Sequence, residues 1–108
     1  KNDISSIDIF FDKFSTYLGD AQLQKIDAIG EWMKNNDFDI HIVALRDNVA
    51  DKNVDERLRK GRTEVIKDLL VKKYGISPER VSIVKAEDLG YVNLTGCNAK
   101  IMFVEKSK

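Results

Sequence analysis

Hydrophobic residues along the chain fall into two kinds of rhythm. In Ile4 to Phe11 (ISSIDIFF) a period of two puts Ile7, Ile9 and Phe11 on one face, which predicts a strand. After Gly19, with Asp20 as the expected N-cap, the period lengthens. Leu23, Ile26, Ile29 and Met33 recur every three or four residues and predict an amphipathic helix ending near Asn35 and Asn36. Phe38 to Leu45 returns to strand character, rich in Ile and Val. A second helix is expected from about Val54 or Asp55, with Leu58, Val65, Ile66, Leu69 and Leu70 on its buried side. Gly75 suits the left-handed residue beyond its end, and Ser77-Pro78 starts one further turn. Short strands at Arg80 to Lys85 and Lys100 to Val104 complete the series.

The order is β-α-β-α-β-β. Strands joined through helices need crossover connections and run parallel, whereas a last strand reached by a loop can add antiparallel. The expected fold class is an α/β (α+β) two-layer sandwich, a mixed four-stranded sheet with two helices on one face. Ligands in such sheets tend to bind beyond the carboxyl ends of strands, where loops enter helices.

Composition narrows the function. At 108 residues, 43% hydrophobic and 33% charged, the chain suits one globular domain over residues 1–108. Eighteen basic residues balance eighteen acidic ones, so no net field draws it to nucleic acid or to an anionic membrane. No apolar run is long enough to span a bilayer. Cys97, the lone cysteine, permits neither an internal disulfide nor a zinc site. It is read as a small residue before a strand. His41 lies between Ile40 and Ile42 in the second strand and has no partners for a metal. Trp32 sits on a helix, not on the central strands that stack RNA bases, and is read as packing. No cofactor, metal or catalytic constellation is expected. The chain opens at Lys1 without a methionine, so a fragment or mature product of a larger protein is expected.

The stretch from Ala44 to Val65, ALRDNVADKNVDERLRKGRTEV, carries the candidate chemistry. It holds five acidic and six basic residues directly after a hydrophobic strand. Arg62 follows Leu58 by four and precedes Val65 and Ile66 by three and four, so it flanks the apolar stripe. A guanidinium there needs a partner, because an orphaned buried charge costs about 3–5 kcal/mol. Two readings stay open on spacing alone. Arg62 reaches water along its methylenes or pairs with Asp47 to pin the loop, or else the two charges are held apart for a ligand.

These residues also resemble the OmpA-like peptidoglycan-binding domain. That family reads G-x-T-D after a strand, N-x-x-L-S-x-x-R-A at the start of a helix, and N-R-R-V at a late strand. This chain reads A-L-R-D at Ala44 to Asp47, D-E-R-L-R-K-G-R-T at Asp55 to Thr63, and N-A-K-I at Asn98 to Ile101. Asp47 and Arg62 keep the family spacing without a gap. I-F-F-D at Ile9 to Asp12 and Y-G-I-S-P-E-R-V at Tyr74 to Val81 match as well, so the resemblance runs from about Ile7 to Val104.

The resemblance implies non-covalent binding of the diaminopimelate of a peptidoglycan stem peptide, without catalysis. Asp47 would accept from the distal ammonium and Arg62 would fork onto the adjacent carboxylate. Asp55, Asn98, Lys100 and Arg46 would lie around that pair; Asn98 keeps the family's asparagine, while Asp55, Lys100 and Arg46 stand where the family has asparagine, arginine and threonine. The setting implied is the periplasm, with the parent protein associated with the outer membrane and anchored to the cell wall. Other envelope proteins are the further partners that this setting implies. The competing expectation is an OmpA-like fold whose ligand site has decayed into a protein-interaction or assembly module.

Overall fold

The computed structural model describes residues 6–46, 51–90 and 98–105. Strand β1 is Ser6–Ile9, helix α1 Asp20–Asn35, strand β2 Phe38–Ala44, helix α2 Lys52–Asp68, strand β3 Val81–Lys85 and strand β4 Ala99–Glu105. The sheet order is β1-β4-β2-β3. β2 and β3 pair in parallel, from Ile40 opposite Val81 to Ala44 opposite Lys85. β4 is antiparallel to both of its neighbours, with Ile101 opposite Ile42 on one side and Ile7 on the other. β1 and β2 therefore run in the same direction as the crossover rule requires, but β4 lies between them.

Alternation divides the sheet into two faces. Ile9, Ile40, Ile42, Val81, Ala99 and Ile101 pack with Ile26, Ile29 and Met33 of α1 and with Ile66 and Leu70 beyond α2's midpoint. Ile7 and Phe11 join the same cluster, as the period-two reading requires. Each fully buried isoleucine or leucine contributes about 1.5–3 kcal/mol. On the opposite face Val43 and Leu45 form a smaller cluster with Ala86, Val84 and Met102.

Helix ends differ slightly from expectation. Gly19 occupies the N-cap of α1 and Asp20 its first turn, where a carboxylate still complements the helix dipole. α2 starts earlier than Val54, because Asp51 caps it by accepting a hydrogen bond from the Val54 N–H at 2.9 Å. After Asp68 it runs on as a wider π turn over Leu69–Lys73. Gly75 follows at φ +69°, and the Ile76 N–H closes back onto the Leu70 carbonyl at 3.1 Å.

Two contacts set the pose of α1. Gly30 faces the Tyr74 ring so closely that an added Cβ would lie 2.5 Å from its Cγ. The Tyr74 hydroxyl donates to the Asp27 carboxylate, which raises the phenol's pKa. At the other end, the Arg80 guanidinium donates to the carbonyls of Met33, Asn36 and Phe38 at 3.2, 2.8 and 2.7 Å. Those oxygens belong to the last turn of α1 and the entry to β2, so one side chain satisfies a helix end that needs partners. No helix among the described residues is long and apolar enough to cross a membrane.

Candidate functional site

Register brings three chain ends to one edge of the sheet. Ala99 at the start of β4 lies opposite Ile9 at the end of β1 and Ala44 at the end of β2. Asn98 ties them together. Its N–H donates to the Ile9 carbonyl at 3.0 Å, and its carbonyl accepts from the Leu45 N–H at 3.3 Å. Its side-chain Oδ1 accepts from the Phe11 N–H at 2.6 Å. Leu45 is buried, and Arg46, the next residue, turns out to solvent. Asp47 lies outside the described residues, as does Cys97.

α2 approaches this edge with an unusually polar buried side, composed of Asp55, Leu58, Arg59, Arg62, Thr63 and Ile66. Asp55 and Arg62 are seven residues apart, hence on the same side of the helix and about 10 Å apart along it. Arg62 is only 1% exposed. Its Nε donates to the Ser15 carbonyl at 2.8 Å and its Nη2 to the Asp12 carbonyl at 3.3 Å. The guanidinium also lies over the Phe11 ring, 5.3 Å from the centroid. These are not its only contacts. Arg62 thus does not snorkel to water. It grips the connection between β1 and α1.

Asp55 is drawn toward a different group. Arg59, four residues on and also buried, places its Nε 3.2 Å from Asp55 Oδ2 and donates from Nη1 to Glu87 Oε1 at 2.8 Å. Burial opposes the Arg59 charge, but the Glu87 hydrogen bond and the charges of Asp55 and Glu87 outweigh it, so its pKa is raised. The same hydrogen bond holds the Glu87 carboxyl below its usual range. Glu87 belongs to the 3-10 turn Ala86–Leu89 that leaves β3, so the triad fastens α2 to the far side of β2.

The structure therefore brings Arg62 and Asn98 together around Phe11, and aligns Asp55 with them along α2. Lys100 is placed elsewhere. It lies opposite Asp8 and Val43, on the helix-free face of the sheet, and its ammonium pairs with the Asp8 carboxylate. Arg46 stands at the exit from β2.

Sequence reasoning did not identify the backbone of Asp12 and Ser15 as the partner of Arg62, nor Glu87 as that of Arg59. One signal was present. Gly61 sits inside α2, where glycine costs about 1 kcal/mol relative to alanine, and such a residue marks a close approach. A Cβ at Gly61 would lie 2.8 Å from Thr16 Cγ2, on the same connection that Arg62 holds.

The chain is similar in fold to the C-terminal domain of Helicobacter pylori MotB, with a TM-score of 0.71 at 15% identity, over 94% of this chain and 86% of that one. It is similar to an outer membrane protein from Borrelia burgdorferi, with a TM-score of 0.66 at 17% identity, over 94% and 87%. It is also similar to the cell wall anchor of the T6SS from Pseudomonas aeruginosa, with a TM-score of 0.66 at 15% identity, over 96% and 81%. At these identities the likeness is one of fold, and the fold is the OmpA-like one. No protein-family model and no curated protein matches the sequence.

Proposed function

We propose that this domain binds peptidoglycan non-covalently and tethers an envelope protein to the cell wall from the periplasm, without catalysis or cofactor. The observation that carries the proposal is the position of Arg62, a guanidinium seated over Phe11 and fixed to the connection that follows β1. The fold is shared with a protein described as a cell wall anchor, which supports the same reading.

In this reading Asp47 and Arg62 hold the zwitterionic end of diaminopimelate in the stem peptide. An ammonium beside a carboxylate calls for one anion and one forked cation, and guanidinium matches carboxylate better than an ammonium does. Asn98 fixes the edge of the sheet, Asp55 is held by Arg59 along the same helix, and Arg46 adds a cation at the rim. Lys100 serves the helix-free face. Charge-assisted bonds of about 1.5–3 kcal/mol each give affinity on the order of micromolar once several are made.

Calorimetry with a diaminopimelate-containing stem peptide tests this. Heat of binding is expected with the unaltered domain, lost in Asp47→Ala and in Arg62→Lys. A folded domain that gives no heat up to millimolar peptide sinks the proposal.

A second reading has an observation in its favour. Arg62 is almost wholly buried and donates to two backbone carbonyls. A guanidinium so engaged serves a protein-interaction module whose ligand site has closed. The same titration separates the two, since the module gives no heat with the peptide.

A further inference from the structure

Phe14 has φ +58°, the single non-glycine residue in the left-handed region among the described residues. That conformation suits glycine or asparagine, and a bulky side chain there is an outlier. Burial does not compensate, since Phe14 is 52% exposed. Strain of this kind persists only where the surroundings over-determine the backbone. Here they do. Arg62 holds the carbonyls of Asp12 and Ser15, Asn98 accepts from the Phe11 N–H, and Gln22 accepts from the Phe10 N–H at 3.1 Å. Within the connection, the Ser15 N–H reaches the Asp12 carbonyl and the Ser15 hydroxyl oxygen accepts from the Tyr17 N–H.

The fixed connection shows aromatic rings to solvent. Tyr17 is 74% exposed and Phe10 also stands open. The fold gains little from either Phe14 or Tyr17. Their neighbours in sequence carry hydroxyls, Ser15 and Thr16, with charge in balance: Asp12 and Asp20 against Lys13 and Lys25, whose ammonium lies over the Phe10 ring. The Lys13 ammonium lies 5.4 Å from the Phe14 centroid, drawn to the ring's negative face. An anionic bilayer calls for a basic excess, which this segment lacks. A sugar ring fits better: it is uncharged, carries C–H bonds on one face that stack on an aromatic ring, and has hydroxyl and amide groups at its edge.

We propose that Phe14, with Tyr17, is a stacking platform for the N-acetylated sugars of the glycan strand, set beside the site for the stem peptide. The inference rests on the reading of this domain as a peptidoglycan binder. It assigns the rigid connection a ligand role that is separate from the zwitterion pair. Arg62 links the two, because the guanidinium assigned to the peptide carboxylate also fixes the carbonyls on either side of Phe14.

Titrating the whole chain with two ligands tests it: the free stem peptide, and the same peptide attached to its N-acetylglucosaminyl–N-acetylmuramyl disaccharide. The disaccharide is expected to tighten binding roughly three- to tenfold, the range set by one aromatic stack. Phe14→Gly removes the ring while suiting the left-handed backbone, so it is expected to keep its melting temperature and its affinity for the free peptide. It should lose the sugar increment. Tyr17→Ala should lose part of it, and Phe14→Trp should retain it. If the free peptide binds and the disaccharide adds nothing, or if Phe14→Gly keeps the increment, the platform is overturned and the peptide site stands. If neither ligand binds, the peptidoglycan reading fails and the platform fails with it. Sedimentation with anionic vesicles that depends on Phe14 overturns the platform in favour of a membrane surface.

Discussion

Arg62 on α2 donates from Nε to the carbonyl oxygen of Ser15, forty-seven residues earlier in the chain, at 2.8 Å. A buried cation thereby serves a stretch with no regular secondary structure, and it satisfies a carbonyl that a packed loop cannot leave unpaired. Removing the guanidinium takes the Arg62 donor from the Ser15 oxygen, leaves the Asp12 oxygen with the Ser15 N–H alone, and opens a void beside Phe11. Arg62→Ala is expected to cost about 2–4 kcal/mol. Arg62→Lys keeps the charge but not the fork, and should cost about 1–2 kcal/mol. Urea titration measures both as a shift in midpoint at constant slope. A loss under about 0.5 kcal/mol in Arg62→Ala would mean that the connection is held by other groups.

Gly30 and Tyr74 form a second dependent pair. Alanine favours a helix over glycine by about 1 kcal/mol, yet the new methyl carbon would meet the Tyr74 ring at 2.5 Å. The ring cannot swing aside freely, because its hydroxyl is bonded to Asp27 on α1. Gly30→Ala should therefore destabilise the fold by about 1–3 kcal/mol. In a Tyr74→Ala background the same change should become neutral or favourable. A double-mutant cycle without a coupling of at least about 0.5 kcal/mol would refute the steric account.

Acid stability should respond to Glu87. The Arg59 hydrogen bond and charge depress this carboxyl in the folded state. A depressed carboxyl adds stability that is complete above the usual glutamate range and is lost as pH falls through the lower folded value. The half-exposed side chain keeps the effect modest. Glu87→Gln should flatten the acid limb of the stability profile while changing little in the slope near neutrality. Unfolding curves at pH 7 and on the acid side measure the difference; parallel limbs in the two proteins would exclude this pair as a contributor.

Arg80 gathers three carbonyls from the end of α1 and the start of β2. Methionine keeps the length of the side chain and none of the donors. Arg80→Met is expected to cost about 2–4 kcal/mol, and hydrogen exchange should rise first in the last turn of α1. Uniform exchange across the domain would argue against a local capping role.

Local pattern made the secondary structure legible. Ile7, Ile9 and Phe11 on one face, the Ile26–Ile29–Met33 stripe and the left-handed Gly75 are each set by residues close in sequence, and each is found as expected. Strand order is different, because the place of β4 between β1 and β2 depends on pairings across the whole chain. Site residues divide in the same way. Asp55 with Arg59 is an i, i+4 pair that helix spacing exposes, while Glu87 reaches Arg59 through tertiary packing alone. That Arg62 flanks the stripe was legible, but spacing left open whether it reached water, and only the packed fold shows it buried. Its carbonyl partners were not legible, since backbone acceptors leave no mark in residue identity. Gly61 was the local clue, a glycine inside a helix pattern, and the structure shows the close approach it allows, to Thr16.

The seat of β4 also orders events in time. Residues 99–105 emerge from the ribosome after the other elements, yet β1 finds its hydrogen-bonded neighbour in them alone among the described strands. Until that segment arrives, the first strand has no ladder to join among the described strands, and the backbone N–H and C=O groups of β2 lie unpaired along one edge. The four described strands become one sheet only when β4 pairs, like a zip whose slider is threaded last.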